Sequence, residues 1–106
     1  MSGTTVKVGV IGTTTWGMTL AMLMSKSGHA VAVWARSEAE ATRFSSTRVH
    51  PHLRDIPIPS EISIDASVER VLDGADLALV VVPSRSLQGN LDSVVSALAS
   101  VPLVVS

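Results

Sequence analysis

Near the start of the chain, Gly12-Thr13-Thr14-Thr15-Trp16-Gly17 has a spacing at which backbone can wrap an anion. In the dinucleotide fingerprint GxGxxG, the first glycine permits a tight turn out of a strand. The second lets a pyrophosphate come close to the backbone, and the third lets the following helix pack closely on the sheet. Here Gly12 and Gly17 hold the outer places and Thr14 holds the middle one. Its branched side chain adds bulk where contact is wanted, while its hydroxyl is able to donate to a phosphate oxygen. The N–H groups that open a helix have no intrahelical partner and carry partial positive charge, so this string suits a phosphate if it joins a strand to a helix. A structural glycine turn is the plainer alternative. About twenty residues further on, such a site would place a carboxylate for the ribose hydroxyls or an arginine for a 2′-phosphate. The chain reads Trp34-Ala35-Arg36-Ser37, with no carboxylate at that tip. Arg36 with Ser37 suits a 2′-phosphate through charge-assisted hydrogen bonds, so NADP is tolerated beside NAD. The alternative for Arg36 is a solvated guanidinium stacking on adenine.

The elements needed to position these residues are legible around them. Val6 to Ile11 is a β-branched run of strand length that stops at Gly12. From Trp16 to Ser27, Gly17, Leu20, Ala21, Met24 and Gly28 fall on one helical stripe, and Gly28 supplies the left-handed residue that ends a helix. Ala30 to Trp34 reads as a second strand, completing a βαβ unit. Ser37 caps a short helix to about Phe44, and the three prolines between Val49 and Pro59 impose a loop. Ile62-Ser63-Ile64 is a short strand, and Ser67 caps a helix through Leu72 that Gly74 ends. Ala75 to Val82 is apolar enough for a strand buried on both faces, closed by Pro83. Ser84 to Ser100 reads as a helix, and Leu103-Val104-Val105 opens a fifth strand. The fold class is therefore α/β: a doubly wound, Rossmann-like parallel sheet in the order 3-2-1-4-5, forming a single domain.

Composition narrows the function. The chain has 106 residues, enough for one core, with 46% hydrophobic and 3% aromatic content. Its 8 basic and 9 acidic residues give a formal net charge of -1, which argues against a nucleic-acid partner. No cysteine is present, which excludes a disulfide, a cysteine-ligated zinc and a thiolate nucleophile. His50 and His52 flank Pro51, but with His29 distant they read as loop-surface residues, and no metal site is expected. Trp16 reads equally as a core aromatic or as packing on the cofactor side. Apolar runs of only strand length and the lack of a signal-like start suggest a cytoplasmic protein with no membrane span.

Longer strings make the reading specific. Gly12-x-x-x-Trp16-Gly17-x-x-Leu20-Ala21 and Gly28-His29-x-Val31-x-x-Trp34-x-Arg36 resemble the opening of NAD(P)-dependent glycerol-3-phosphate dehydrogenases. Leu53-Arg54-Asp55-Ile56-Pro57-Ile58-Pro59 is similar to that family's Leu-Pro-Gly-Ile-x-Leu-Pro loop. Gly74-Ala75-Asp76 followed by Val82-Pro83-Ser84 is similar to its Ala-Asp to Val-Pro-Ser stretch. The matches run in order over nearly the whole chain. Departures are Thr14 in the glycine loop, and Val49 and His52 where Asn and Tyr are expected. The resemblance implies that residues 1–106 are the NAD(P)-binding domain at the start of a longer enzyme, truncated before a helical second domain. It implies cofactor contacts at Gly12, Thr14, Thr15, Trp16, Gly17 and Arg36, with Pro83 and Ser84 beside the nicotinamide. It further implies hydride transfer between the nicotinamide and dihydroxyacetone phosphate or glycerol 3-phosphate in the full-length enzyme, and a homodimer through the second domain. The family's lysine beyond the fifth strand has no counterpart here, because the lysines are Lys7 and Lys26, so this chain is expected to hold no catalytic residue. Two other readings remain: a nucleotide-binding or sensing module without catalysis, and a reductase of the ketopantoate or pyrroline-carboxylate type, against which the Trp16-Gly17 pair and the proline loop argue.

Overall fold

A computed structural model describes residues 6–51, 53–81 and 91–105, with backbone alone for 91–94. Five parallel strands, β1 (Lys7–Ile11), β2 (Ala30–Trp34), β3 (Ser63–Asp65), β4 (Leu77–Val80) and β5 (Leu103–Val105), form one sheet in the order β3-β2-β1-β4-β5. The helices α1 (Thr15–Lys26), α2 (Glu38–Thr47), α3 (Val68–Leu72) and α4 (Leu91–Leu98) alternate with them. This is the strand order expected from the sequence, and its switch point lies between β1 and β4, where the order reverses.

Alternation along the strands sorts the core into two layers. Val8 and Val10 of β1 and Val31 and Val33 of β2 point to one face, where they meet Met18 and Ala21 of α1 and Phe44 of α2. Ile11, Ala32, Trp34 and Ala78 point to the other, against Val68, Val71 and Leu72 of α3. The buried Trp34 indole is not left unpaired, since its Nε1–H donates to the Ala66 carbonyl at 2.9 Å. Gly9 faces α3, and a Cβ there would lie 2.5 Å from Leu72 Cδ2 and 3.2 Å from the Val71 carbonyl oxygen, so the glycine lets α3 approach closely.

The boundaries shift from the sequence expectation by a residue at each end of α1 and at the start of β1, and differ more instructively at α2, β3 and β4. Helix α2 runs to Thr47, past Phe44, although Ser45, Ser46 and Thr47 favour helices weakly. Its end is fixed by tertiary contacts: Arg48 takes φ 54°, and its guanidinium donates to the carbonyls of Pro59 and Ile62 at 3.2 and 2.7 Å. Strand β3 starts one residue later than Ile62, which is instead fully buried under α2. The regular part of β4 is shorter than Ala75 to Val82, and only Ala78 in it is fully buried. The chain keeps bonding to β1 on either side, through Asp76 N–H to the Lys7 carbonyl and Val81 N–H to the Ile11 carbonyl. Of the helix expected from Ser84, the described part is Leu91–Leu98.

Candidate functional site

The glycine loop leaves β1 at its carboxyl end. Gly12 has φ 131°, a conformation that excludes a side chain without strain, and the chain turns there into α1. Thr14 is the N-cap of α1 with φ -65°, in ordinary extended space, so the position tolerates a side chain. Its hydroxyl accepts from Gly17 N–H at 3.0 Å and donates to the Val81 carbonyl at 3.2 Å. The hydroxyl is thus turned into the fold, where it ties the loop to the end of β4. Gly17 is required by packing, because a Cβ there would lie 2.5 Å from Val81 Cγ2 and 3.0 Å from the Gly12 carbonyl.

Two consequences follow for an anion at this turn. The amides of Thr15 and Trp16, in the first turn of α1, have no partner among the described hydrogen bonds. With the partial positive charge of a 12-residue helix behind them, they are donors awaiting an acceptor. Trp16 is 63% exposed beside them, which removes the core-aromatic reading.

Two further residues join this loop, and the sequence reading assigned neither to it. His50 is buried, not at the loop surface as expected: its Nε2 is 2.8 Å from the Thr13 carbonyl and its ring stacks on Phe44 with centroids 5.7 Å apart. It thereby pins the proline loop against the glycine loop. His52 lies outside the described residues. Glu40 accepts from the Thr13 hydroxyl at 2.7 Å and lies 3.7 Å from Arg36 Nε. Ser37-Glu38-Ala39-Glu40 has the spacing of a capping box, and Ser37 does accept from Glu40 N–H at 3.2 Å. The Glu40 carboxylate, however, reaches across to the glycine loop, a contact that no spacing in the sequence reveals. Thr13, Thr15, Glu40, Arg43 and His50 line an open cleft of about 390 Å³ beside the loop. Arg36 stands at its edge with a side chain 68% exposed.

The expected residues Gly12, Thr14, Thr15, Trp16 and Gly17 therefore converge on one turn, and Arg36 lies near it through Glu40. Pro83 and Ser84 lie outside the described residues. Lys7 opens β1 and Lys26 ends α1, so both lie toward the opposite end of the sheet from the loop.

Known proteins resemble this chain in sequence and in fold. The glycerol-3-phosphate dehydrogenase [NAD(P)+] of Dehalococcoides mccartyi is 40% identical over 87 residues, covering 80% of this chain and 24% of that protein. That of Corynebacterium glutamicum is 36% identical, covering 81% of this chain and 26% of that protein. The chain thus spans about a quarter of the length of the curated relatives it matches. Among solved structures, glycerol-3-phosphate dehydrogenase from Coxiella burnetii superposes with a TM-score of 0.68 at 22% identity, over 76% of this chain and 25% of that one. A diketoreductase superposes with a TM-score of 0.63 at 21% identity, over 97% of this chain and 41% of that one. These two likenesses speak for the fold alone. The family described as NAD-dependent glycerol-3-phosphate dehydrogenase N-terminus matches residues 7–106, the whole described sheet and its glycine loop, and the chain belongs to that family.

Proposed function

We propose that residues 1–106 form a domain that binds NAD or NADP across the carboxyl ends of β1 and β2, within an enzyme that interconverts dihydroxyacetone phosphate and glycerol 3-phosphate. The observation that carries this reading is the pair of amides at Thr15 and Trp16, without a hydrogen-bond partner among the described residues and set above the Gly12 turn at the start of α1. The residues fit the group: a pyrophosphate is a doubly charged acceptor, and a helix start beside an open cleft offers donors without side-chain obstruction. Thr14 does not block it, because its side chain is held inward by Gly17 and Val81.

When bound, the nicotinamide supplies the hydride that the reaction transfers. This chain's residues hold and orient it. Gly12, Thr14, Thr15, Trp16 and Gly17 seat the pyrophosphate, Arg36 meets the adenosine end, and Pro83 and Ser84 border the nicotinamide by the family resemblance. The exposed Trp16 indole, in the first turn of α1, is available to pack on the cofactor side. Neither lysine stands near the loop, so the part proposed for this chain is to bind the cofactor. That same placement favours the second reading, a nucleotide-binding module without catalysis. A small phosphorylated substrate, a homodimer and a cytoplasmic location are further parts of the proposal. In keeping with the last, no helix among the described residues is long and apolar enough to cross a membrane.

Titration of the chain with NADH and with NADPH, followed by tryptophan fluorescence and by calorimetry, tests the binding. Saturable binding of at least one is expected, and no binding of either at millimolar concentration overturns the reading. Oxidation of NADH on adding dihydroxyacetone phosphate, assayed in a protein that joins this segment to a helical second domain, separates the enzyme from the binding module.

A further inference from the structure

Cofactor choice in this fold is set where the second strand delivers a side chain to the adenosine ribose. In this chain the tip of β2 delivers Ala35 and Arg36, which by themselves favour a 2′-phosphate. The structure changes that balance. Glu40, one helical turn beyond Arg36, sends its carboxylate back to the glycine loop, where Oε1 accepts from the Thr13 hydroxyl at 2.7 Å. Its other oxygen lies 3.7 Å from Arg36 Nε, and the carboxylate-bearing side chain is 15% exposed. Among the described residues, Glu40 is also the only carboxylate that lines the cleft beside the loop.

We infer that Glu40 supplies the carboxylate missing from the tip of β2, accepting hydrogen bonds from the adenosine ribose hydroxyls and discriminating against a 2′-phosphate, so that the site prefers NAD(H) to NADP(H). The inference rests on the dinucleotide reading above and adds a specificity-determining residue to it. Two effects compete. Arg36 attracts a 2′-phosphate, and so does Arg43 in the lining of the same cleft, but the Arg36 side chain is 68% exposed and Arg43 is exposed too, so water and salt screen both attractions. Arg36 is also already engaged by Glu40. The Glu40 carboxylate is largely shielded and held in one position by Thr13, so its repulsion of a phosphate acts at close range and is screened less. Juxtaposed like charges are the common way in which a site rejects a wrong partner. The shielded charge outweighs the exposed ones.

The test compares NADH and NADPH binding to the full chain and to two variants. The parent should bind NADH more tightly. Glu40→Gln keeps a helix former of the same size, and should tighten NADPH by about tenfold while weakening NADH, so that the preference inverts. Thr13→Val keeps the charge but removes the hydrogen bond that orients it, and should move the ratio in the same direction by a smaller factor. The readout is the ratio of the two dissociation constants, which partial unfolding of a variant leaves unchanged because it lowers both affinities alike. A parent preference for NADPH, or an equal change for both cofactors in Glu40→Gln, overturns the inference and leaves the dinucleotide reading standing. Failure of the parent to bind either cofactor overturns that reading, and the inference with it.

Discussion

The two halves of the sheet are built differently. On the side of β1, β2 and β3, the core residues Val8, Val10, Val33 and Ile62 are fully buried. The loops that leave these strands are laced together by side chains: Thr14 to Val81, Glu40 to Thr13, His50 to Thr13, and Arg48 to Pro59 and Ile62. On the side of β5 and α4, Leu103, Val104 and Val105 are 56%, 42% and 46% exposed, and Val95 is 56% exposed. The ties of the first half, one of them reaching Val81 beyond β4, hold the glycine loop and keep the amides of Thr15 and Trp16 aimed at one point. The second half contributes strand pairing to β4, and among its described residues Val101 is buried, with Ala97 and Leu98 packed against the α3 layer. Stability and binding geometry should therefore both reside in the first half.

Paired truncations test that difference most strongly. Ile62→Ala should cost roughly 2–5 kcal/mol, because the side chain is fully enclosed by α2 and the sheet and its removal leaves a cavity. Leu103→Ala, at a side chain already in water, should cost less than about 0.5 kcal/mol. Denaturant unfolding of the two variants reads the contrast, and similar losses would show that the halves are equally load-sharing.

Gly17→Ala should follow with a loss of about 1–3 kcal/mol, since the new methyl group meets Val81 and the Gly12 carbonyl and neither can withdraw freely. In a chain of this size that is a fall in Tm of about 4–8 °C for each kcal/mol. Dinucleotide binding should weaken with it, as α1 is pushed from the sheet. A variant that loses neither would mean that the loop is less constrained than its contacts imply.

Thr14→Ala removes the N-cap of α1 and the tie to Val81, and should cost about 1 kcal/mol. Thr14→Gly should cost only a few tenths of a kcal/mol through the cap. Because the Thr14 side chain points inward, relieving its bulk should not tighten NADH or NADPH. Thermal unfolding and fluorescence titration of both variants check the pair, and a marked gain of affinity in Thr14→Gly would show that the side chain does obstruct the phosphate.

The smallest effect is acid-dependent. Arg70 donates to both oxygens of Asp65 at 2.8 and 2.9 Å, and this, followed by the Ser67 N–H, holds the Asp65 carboxyl below its ordinary value of 3.8. A group whose folded value is depressed stabilises the fold fully above the unfolded value and loses that contribution as the pH falls through the folded one. Asp65→Asn should therefore leave the response to neutral pH unchanged and flatten the loss of stability below about pH 3.8. The pair is largely exposed, so the change should be small. An unaltered acid limb would show that Asp65 adds nothing at this edge.

Local rules reached the elements and the turn. β-Branched runs, the Ser37 and Ser67 caps, and glycines at the ends of α1 and α3 act within a few residues, so strand order and the Gly12 to Gly17 turn were readable from sequence. Where the ends of elements depend on distant partners, reading failed: α2 overruns Phe44 because Arg48 is captured by carbonyls eleven and fourteen residues away. The same limit governs the site. The sequence by itself determined that a glycine turn opens a helix after a buried strand, because backbone conformation and periodicity are local properties. Only the tertiary structure decided that Thr14 faces inward, that His50 is buried against Thr13, and that Glu40 stands where β2 offers no carboxylate. Those side chains meet across 27 to 67 residues of chain, and such distances are closed by packing of the two layers, which no local pattern encodes.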